Sequence, residues 1–292
     1  MEAVYNKYFR DNLPHIWCPG CGNGIVMSAF ARAMEKLGYP QDETMIVSGI
    51  GCSSRISGYL DFNTLHTAHG RALAFATGAK LAEPKMNMFV FMGDGDAAAI
   101  GGNHLIHACR RNIDMTAIII NNHIYGMTGG QFSPTTPKGK KATTAPYGSI
   151  DREFDLVDLV KGAGATYIAR GDIFHTHTLT NLIVEAAQHK GFSVVEVIST
   201  CPISYGRYNK MPDPAEMINY IKDHTISVHT ANQMLATEKQ KVSKHQSLSG
   251  RFIKESVLKD MYVVGRHYVN DAVPEYCEEM EALIERLKGG AE

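Results

Sequence analysis

Phe89-Val90-Phe91-Met92-Gly93-Asp94-Gly95-Asp96 runs from an apolar, aromatic-rich stretch straight into alternating glycines and carboxylates, and a helix-length segment, Ile100 to Arg111, follows. A short apolar run bounded by such a turn signal reads as an interior strand rather than a helix. The pattern repeats on either side. Strand-like runs stand at Met45 to Ile50, Met115 to Ile120 and Phe192 to Ile198, and helix-length segments at Asn23 to Gly38, Arg71 to Leu81 and Thr176 to Lys190, with a shorter one at Asp155 to Lys161. In the first helix Val26, Ala29, Phe30, Ala33, Met34 and Leu37 recur at helical spacing, and Gly38 with Pro40 supplies the stop. Strand alternating with helix predicts an α/β fold: a mostly parallel sheet with helices on both faces.

Two regions break the alternation. Tyr125 to Ile150 is rich in Gly, Pro, Thr and Lys without a clear period, which marks a long loop of the kind that is usually functional or mobile. Beyond Asn209 the chain turns polar, most of all over Thr237 to Ser249, and ends in a charged, helix-like run from Pro274 to Lys288. The expected organisation is a ligand-binding domain over residues 1–209 and a C-terminal extension over residues 210–292 that packs on the domain or on another subunit.

Composition narrows the possible functions. The chain has 292 residues, is 44% hydrophobic and 20% charged, and carries a formal net charge of -1, so no global basic field points to nucleic acid. Met1 to Trp17 holds no signal-peptide core, and no stretch reaches the roughly 18 apolar residues of a membrane span. The expected address is cytoplasmic, with no membrane partner. In that compartment the six cysteines read as thiols or metal ligands rather than a disulfide framework.

Gly93-Asp94-Gly95-Asp96 stands at the carboxyl end of its strand, where open α/β sheets bind ligands. Glycines there let backbone N–H groups approach an anion, and the following helix N-terminus favours negative charge, yet Asp94 and Asp96 would repel a bare phosphate. A magnesium ion bridging carboxylate and phosphate resolves the conflict. The second half of such a site is expected at the end of the next strand, and there Asn121 and Asn122 stand 27 and 28 positions after Asp94.

The run 93–96 together with Asn121-Asn122-His123-Ile124-Tyr125-Gly126-Met127-Thr128-Gly129-Gly130-Gln131 resembles the thiamine-diphosphate motif of the β subunits of 2-oxoacid:ferredoxin oxidoreductases. The resemblance spans about residues 10–210 and implies a pyrophosphate-type thiamine-binding domain. It implies that Asp94, the Asn122 side chain and the Ile124 carbonyl hold magnesium, and that Gly93, Gly95 and Asp96 flank the diphosphate. Gly126, Met127 and Thr128 would contact the cofactor, with Met127 propping it in a bent conformation. Ile50-Gly51-Cys52-Ser53 joins the same cofactor-binding set.

Cys18-Pro19-Gly20-Cys21 alone fits a zinc half-site or a redox pair. It precedes the first helix and follows no thioredoxin-like strand, which counts against a dithiol. Zinc and iron–sulfur clusters both need four soft ligands. Cys52 and Cys201 follow predicted strands at the edge that carries the cofactor loop, whereas Cys109, inside a helix, and Cys277 read as structural thiols. The set Cys18, Cys21, Cys52 and Cys201 is similar to the 4Fe–4S site of the same β subunits, with zinc as the alternative.

Arg55, three residues after Cys52, is expected to face the pocket and pair with the distal carboxylate of 2-oxoglutarate. His66-Thr67-Ala68-His69-Gly70-Arg71 resembles the family's HT-x-HGR segment, which places His69 near the cofactor as a hydrogen-bond donor. Thr128 and Gln131 are candidates of the same kind. His104 and His107 form an H-x-x-H on a helix, but magnesium does not favour imidazole and no third ligand is nearby in the sequence.

Thiamine catalysis also needs a carboxylate on the aminopyrimidine, which thiamine enzymes supply from a separate pyrimidine-binding domain. The roughly 90 residues before Gly93 leave no room for that domain, so the resemblance implies an α subunit that supplies the glutamate, in an α2β2 assembly. The implied reaction is the coenzyme A-dependent oxidative decarboxylation of 2-oxoglutarate to succinyl-CoA and carbon dioxide, reversible in principle, with electrons leaving through the cluster to ferredoxin. The 2-oxoglutarate assignment rests on Arg55 and the segment from Cys201 to Lys210. Pyruvate or another 2-oxoacid as substrate, a non-redox thiamine decarboxylase and a non-catalytic electron-transfer or scaffold subunit are the competing expectations.

Overall fold

The structure, a computed structural model, describes residues 2–242, 258 and 261–289, so the end of the polar stretch, residues 243–249, lies outside the described residues. The strands are β1 (Thr44–Ser48), β2 (Asn63–His66), β3 (Asn87–Gly93), β4 (Met115–Asn121), β5 (Ile124–Tyr125), β6 (Gln131–Phe132), β7 (Tyr167–Asp172), β8 (Phe192–Ile198), β9 (Thr225–Ser227) and β10 (Tyr262–Val269). Among the described residues, an eight-stranded sheet runs in the order β2-β1-β3-β4-β8-β7-β10-β9. The first six strands of that order are parallel; β10 joins β7 antiparallel, and β9 runs parallel to β10.

Alternation along the central strands sends side chains into two apolar layers. Phe89, Phe91, Ile118, Ile120, Val195 and Val197 pack with Val26, Phe30 and Met34 of the helix Asn23–Leu37 and with Leu179 and Ile183 of the helix Thr176–Gln188. Val90, Met92, Ala117, Ile119 and Val194 face the other way, against Leu73 and Ala76 of the helix Ala72–Ala82, Leu105 of the helix Gly102–Arg111 and Val160 of the helix Leu156–Gly162. Both faces are thus covered, which is why β3, β4 and β8 read as unbroken apolar runs.

The sequence-level elements fall within a residue or two of these bounds. Strands β2, β5, β6, β7, β9 and β10 were not expected, the short pair β5 and β6 falling at the start of the stretch read as a loop. β2 is polar because it sits at the sheet edge, and β7 is broken in pattern by Arg170, whose charge is met inside the fold. The run from Pro274 to Lys288 contains the helix Tyr276–Gly289, and through β10 the C-terminal region adds directly to the sheet.

The topology fixes the site. From β1 the chain moves outward to β2 and then returns to β3 on β1's other side, so a crevice opens at the carboxyl ends of β1 and β3. Gly93 pairs with Ile120 and Asn121 with Ile198, which brings the ends of β3, β4 and β8 to one edge.

Candidate active site

Asp94 follows β3 directly and is buried. Its Oδ2 accepts hydrogen bonds from Ser133 Oγ and Thr135 Oγ1, both at 2.5 Å. Burial pushes its carboxyl above the usual range, and Ser133, Thr135 and the nearby His123 pull against that shift. A buried carboxylate met mainly by neutral donors is suited to a divalent cation. Of the paired amides, Asn121 is engaged elsewhere: its Nδ2 donates to Glu196 Oε1 at 2.8 Å, and its Oδ1 accepts the His123 N–H at 3.2 Å and lies 2.9 Å from Thr135 Oγ1. Asn122 is only partly buried, and its Oδ1 accepts the Ile124 N–H at 3.3 Å, so the expected amide and carbonyl ligands sit on one turn. Asp94, Asn122 and Ile124 therefore fit a magnesium site.

Gly95 is small for a reason: a β-carbon there would lie 2.3 Å from the Tyr125 ring, whose hydroxyl donates to the Gly95 carbonyl at 3.1 Å. Asp96 opens the π-helical turn Asp96–Ile100. Its Oδ1 takes the His69 Nδ1 and the Gly70 N–H, each at 2.6 Å, while its buried Oδ2 has no hydrogen-bond partner among the described residues. Asp96 thereby orients the part-exposed His69 through its Nδ1, a link the spacing of 27 residues hid. Burial raises the Asp96 carboxyl, with Gly70 and His69 opposing.

The four cysteines singled out in the sequence come together. Burial, then the charges of Cys201, Cys52 and Cys18, push the Cys21 thiol up to about 12, although the Asn23 N–H on its sulfur opposes this. Burial and the charges of Cys201 and Cys18 raise Cys52 to about 11, and burial also raises Cys201. Thiols raised in this way become good ligands when iron or zinc supplies the missing positive charge. Cys18 is exposed. The Trp17 indole donates to the Cys52 carbonyl at 2.7 Å, and Gly22 N–H to the Thr200 carbonyl at 3.3 Å, tying the N-terminal pair to the other two loops. Among the described residues, no three His, Cys, Asp or Glu side chains converge closely enough to hold a single metal ion. Cys109 and Cys277 are buried away from this group, Cys109 among the side chains beneath the sheet.

Gly126 joins the two halves of the site. A β-carbon on it would lie 3.4 Å from the Cys201 sulfur and 3.8 Å from the Cys52 sulfur. Met127, next along, is 47% exposed, and Thr128 and Gln131 are tied to each other, Thr128 Oγ1 donating to Gln131 Oε1 at 2.6 Å. Ile50, Gly51 and Ser53 form the loop after β1, with Ser53 buried and Ile50 44% exposed. Arg55 stands close enough to His66 for its charge, after burial, to hold that imidazole below its ordinary range. Its Nε is buried without a partner, and among the described residues no carboxylate pairs with it. His104 and His107 lie on the helix Gly102–Arg111, His107 accepting from Arg110 at 3.3 Å.

Sequence reasoning missed Ser133, Thr135, Tyr125 as a packing partner, and the hydrogen-bonded line Asn121, Glu196, Arg170, Asp155. Arg170 donates to Glu196 Oε2 at 2.7 Å and to Asp155 Oδ1 at 2.8 Å. A signal was present: Glu196 is the one charge in the apolar strand Phe192–Ile198, and a buried charge demands a partner.

Comparison with known proteins agrees with this geometry. Residues 49–197 match the family model described as thiamine pyrophosphate enzyme, C-terminal TPP binding domain. The chain is 51% identical to the 2-oxoglutarate synthase subunit KorB of Methanocaldococcus jannaschii, over 97% of each chain. It is 48% identical to the subunit of the same name from Methanothermobacter marburgensis, over 99% of this chain and 94% of that one. Among solved structures it resembles the 2-oxoglutarate:ferredoxin oxidoreductase from Magnetococcus marinus with 2-oxoglutarate, coenzyme A and succinyl-CoA bound, with a TM-score of 0.81 and 31% identity over 97% of this chain and 90% of that one. Among the described residues no helix is long and apolar enough to cross a membrane.

Proposed function

The chain belongs to the thiamine-diphosphate-binding β subunits of 2-oxoacid:ferredoxin oxidoreductases, and on that premise we propose that, with a partner subunit, it carries out coenzyme A-dependent oxidative decarboxylation of 2-oxoglutarate. The products are succinyl-CoA and carbon dioxide, the electrons go to ferredoxin, and the assembly is α2β2. The observation that carries this reading is Gly126: the cofactor-binding turn has no side chain where it meets the sulfurs of Cys201 and Cys52, so an organic cofactor and an inorganic electron acceptor can stand in near contact.

Asp94 and Asn122, with the Ile124 carbonyl, hold magnesium; Gly95 and Gly126 let the backbone approach the diphosphate cofactor; Met127 supports it. When bound, thiamine diphosphate would supply the electron sink for loss of carbon dioxide, and Cys18, Cys21, Cys52 and Cys201 would hold a 4Fe–4S cluster able to accept single electrons. Arg55, a cation with no acidic partner among the described residues, takes the distal carboxylate of the substrate, and His69, oriented by Asp96, presents Nε2 toward the reacting carbonyl.

Anaerobic purification with the partner subunit, metal analysis and coenzyme A-dependent reduction of a viologen dye test the reading. Iron and sulfide in cluster stoichiometry and preference for 2-oxoglutarate are expected. Zinc at the cysteines removes the redox reaction, and preference for pyruvate removes the role of Arg55.

A further inference from the structure

We propose that Ser133 and Thr135 form a clasp that positions the Asp94 carboxylate and the turn carrying Asn122 and Ile124 for the divalent cation, anchored across the sheet by a line that runs from buried Asn121 and Glu196 through Arg170 to the part-exposed Asp155. The proposal rests on the reading of Asp94 as a magnesium ligand. It concerns residues outside the ligand set.

The clasp acts on both halves of the site. Ser133 Oγ and Thr135 Oγ1 occupy one oxygen of Asp94, both at 2.5 Å, and fix the rotation of its carboxylate. The same segment grips His123, which lies between Asn122 and Ile124. The Thr135 carbonyl meets His123 Nδ1 at 2.8 Å, and Thr136 Oγ1 donates to the His123 carbonyl at 2.6 Å. His123 has a φ of 62°, a left-handed conformation unfavourable for a residue with a β-carbon, so the turn needs such external support.

The anchor explains why the clasp keeps its place. Thr135 Oγ1 also lies 2.9 Å from Asn121 Oδ1, and the other end of that amide donates to Glu196. Glu196 and Asp155 share buried Arg170, and Asp155 caps the helix Leu156–Gly162 by accepting the Val157 N–H at 3.1 Å. Four residues, on β4, β8, β7 and the cap of the helix Leu156–Gly162, therefore stand behind one hydroxyl. Partners that orient metal ligands typically contribute about 10- to 100-fold to metal affinity.

The test uses the assembled complex, stripped of thiamine diphosphate and magnesium, with cofactor binding followed by calorimetry as Mg2+ is titrated. Thr135→Val and Ser133→Ala are expected to raise the half-saturating Mg2+ concentration about 10- to 100-fold. Thr135→Ser, which restores the hydroxyl, is expected to return it close to the parent value, and saturating Mg2+ to restore full occupancy in every variant. If Thr135→Val does not assemble, Ser133→Ala and Thr135→Ser decide the matter. Unchanged Mg2+ dependence in Ser133→Ala, or a Thr135→Ser variant no better than Thr135→Val, overturns the clasp. A parent complex that binds the cofactor without any divalent ion overturns instead the assignment of Asp94, and is told apart by being seen before any substitution.

Discussion

Single side chains here are defined by what they lack. Arg55 is a cation with a buried, unpartnered Nε and no carboxylate on it among the described residues, so the substrate's distal carboxylate completes it. A hydrogen bond to a charged group is worth about 1.5–3 kcal/mol. Arg55→Ala is therefore expected to raise the KM for 2-oxoglutarate about 10- to 150-fold while leaving turnover of pyruvate undiminished; steady-state kinetics on both acids in which neither KM moves would remove Arg55 from the site. Asp94 shows a different deficit. Burial raises its pKa, so between the ordinary carboxylate value and the raised one the cation-free folded chain keeps a proton that the unfolded chain has released. Its contribution to stability is full below the ordinary carboxylate value and is lost as pH rises through the raised one. Magnesium binds the ionised form, so the thermal stabilisation given by Mg2+ with thiamine diphosphate is expected to grow as pH rises. A stabilisation that shrinks with rising pH, followed by calorimetry, would contradict the site.

Among the elements, β3 and its neighbours set the register that makes a site from distant residues. Gly95, just past β3, lies under the Tyr125 ring, and a β-carbon there would stand 2.3 Å from it. Gly95→Ala must displace Tyr125 and break its hydrogen bond to the Gly95 carbonyl, and is expected to weaken thiamine diphosphate binding by about 10-fold in the assembled complex, measured by equilibrium dialysis. Retained affinity would show that the turn tolerates a side chain. The apolar strands β3, β4 and β8 were legible because both of their faces are covered; Asp94, the amide pair, Cys52 and Cys201 could be placed because each stands at or just past a strand end, and Cys18 and Cys21 because they precede the helix Asn23–Leu37. β7 was not, since Arg170 looks like a surface residue until Glu196 and Asp155 are brought beside it by the sheet. For the same reason Ser133 and Thr135 passed as ordinary loop hydroxyls: nothing local distinguishes them, and their partner lies about 40 residues earlier. Asp96 was expected beside the diphosphate, and its bond to His69 could be seen only once the loop after β2 was folded over the turn after β3.

Taken as a whole molecule, the site has acids to spare in number and none to spare in function. Asp94 is held by Ser133 and Thr135, Asp96 by His69 and Gly70, and Glu196 by Asn121 and Arg170. Asp94 and Glu196 are engaged, and Asp96 keeps only one buried oxygen without a partner among the described residues, so the aminopyrimidine carboxylate is expected from another subunit. The rim agrees with a partner at this edge: Ile16 is 67% exposed, Met127 47% and Ile50 44%, all on the loops that surround the cofactor turn and the cysteines. Apolar side chains left open around a charged centre are covered when a second subunit closes over them, which also excludes water from the reacting carbon. Loss of one acid–base group typically costs 10²- to 10⁴-fold in rate. The chain alone, given thiamine diphosphate, Mg2+, coenzyme A and 2-oxoglutarate, is thus expected to reduce viologen at least about 100-fold more slowly than the same chain mixed with its partner. Full activity of the isolated chain would mean that one of the engaged acids is released during turnover, and Asp96, whose Oδ2 is already unpartnered, would then be the group to substitute first.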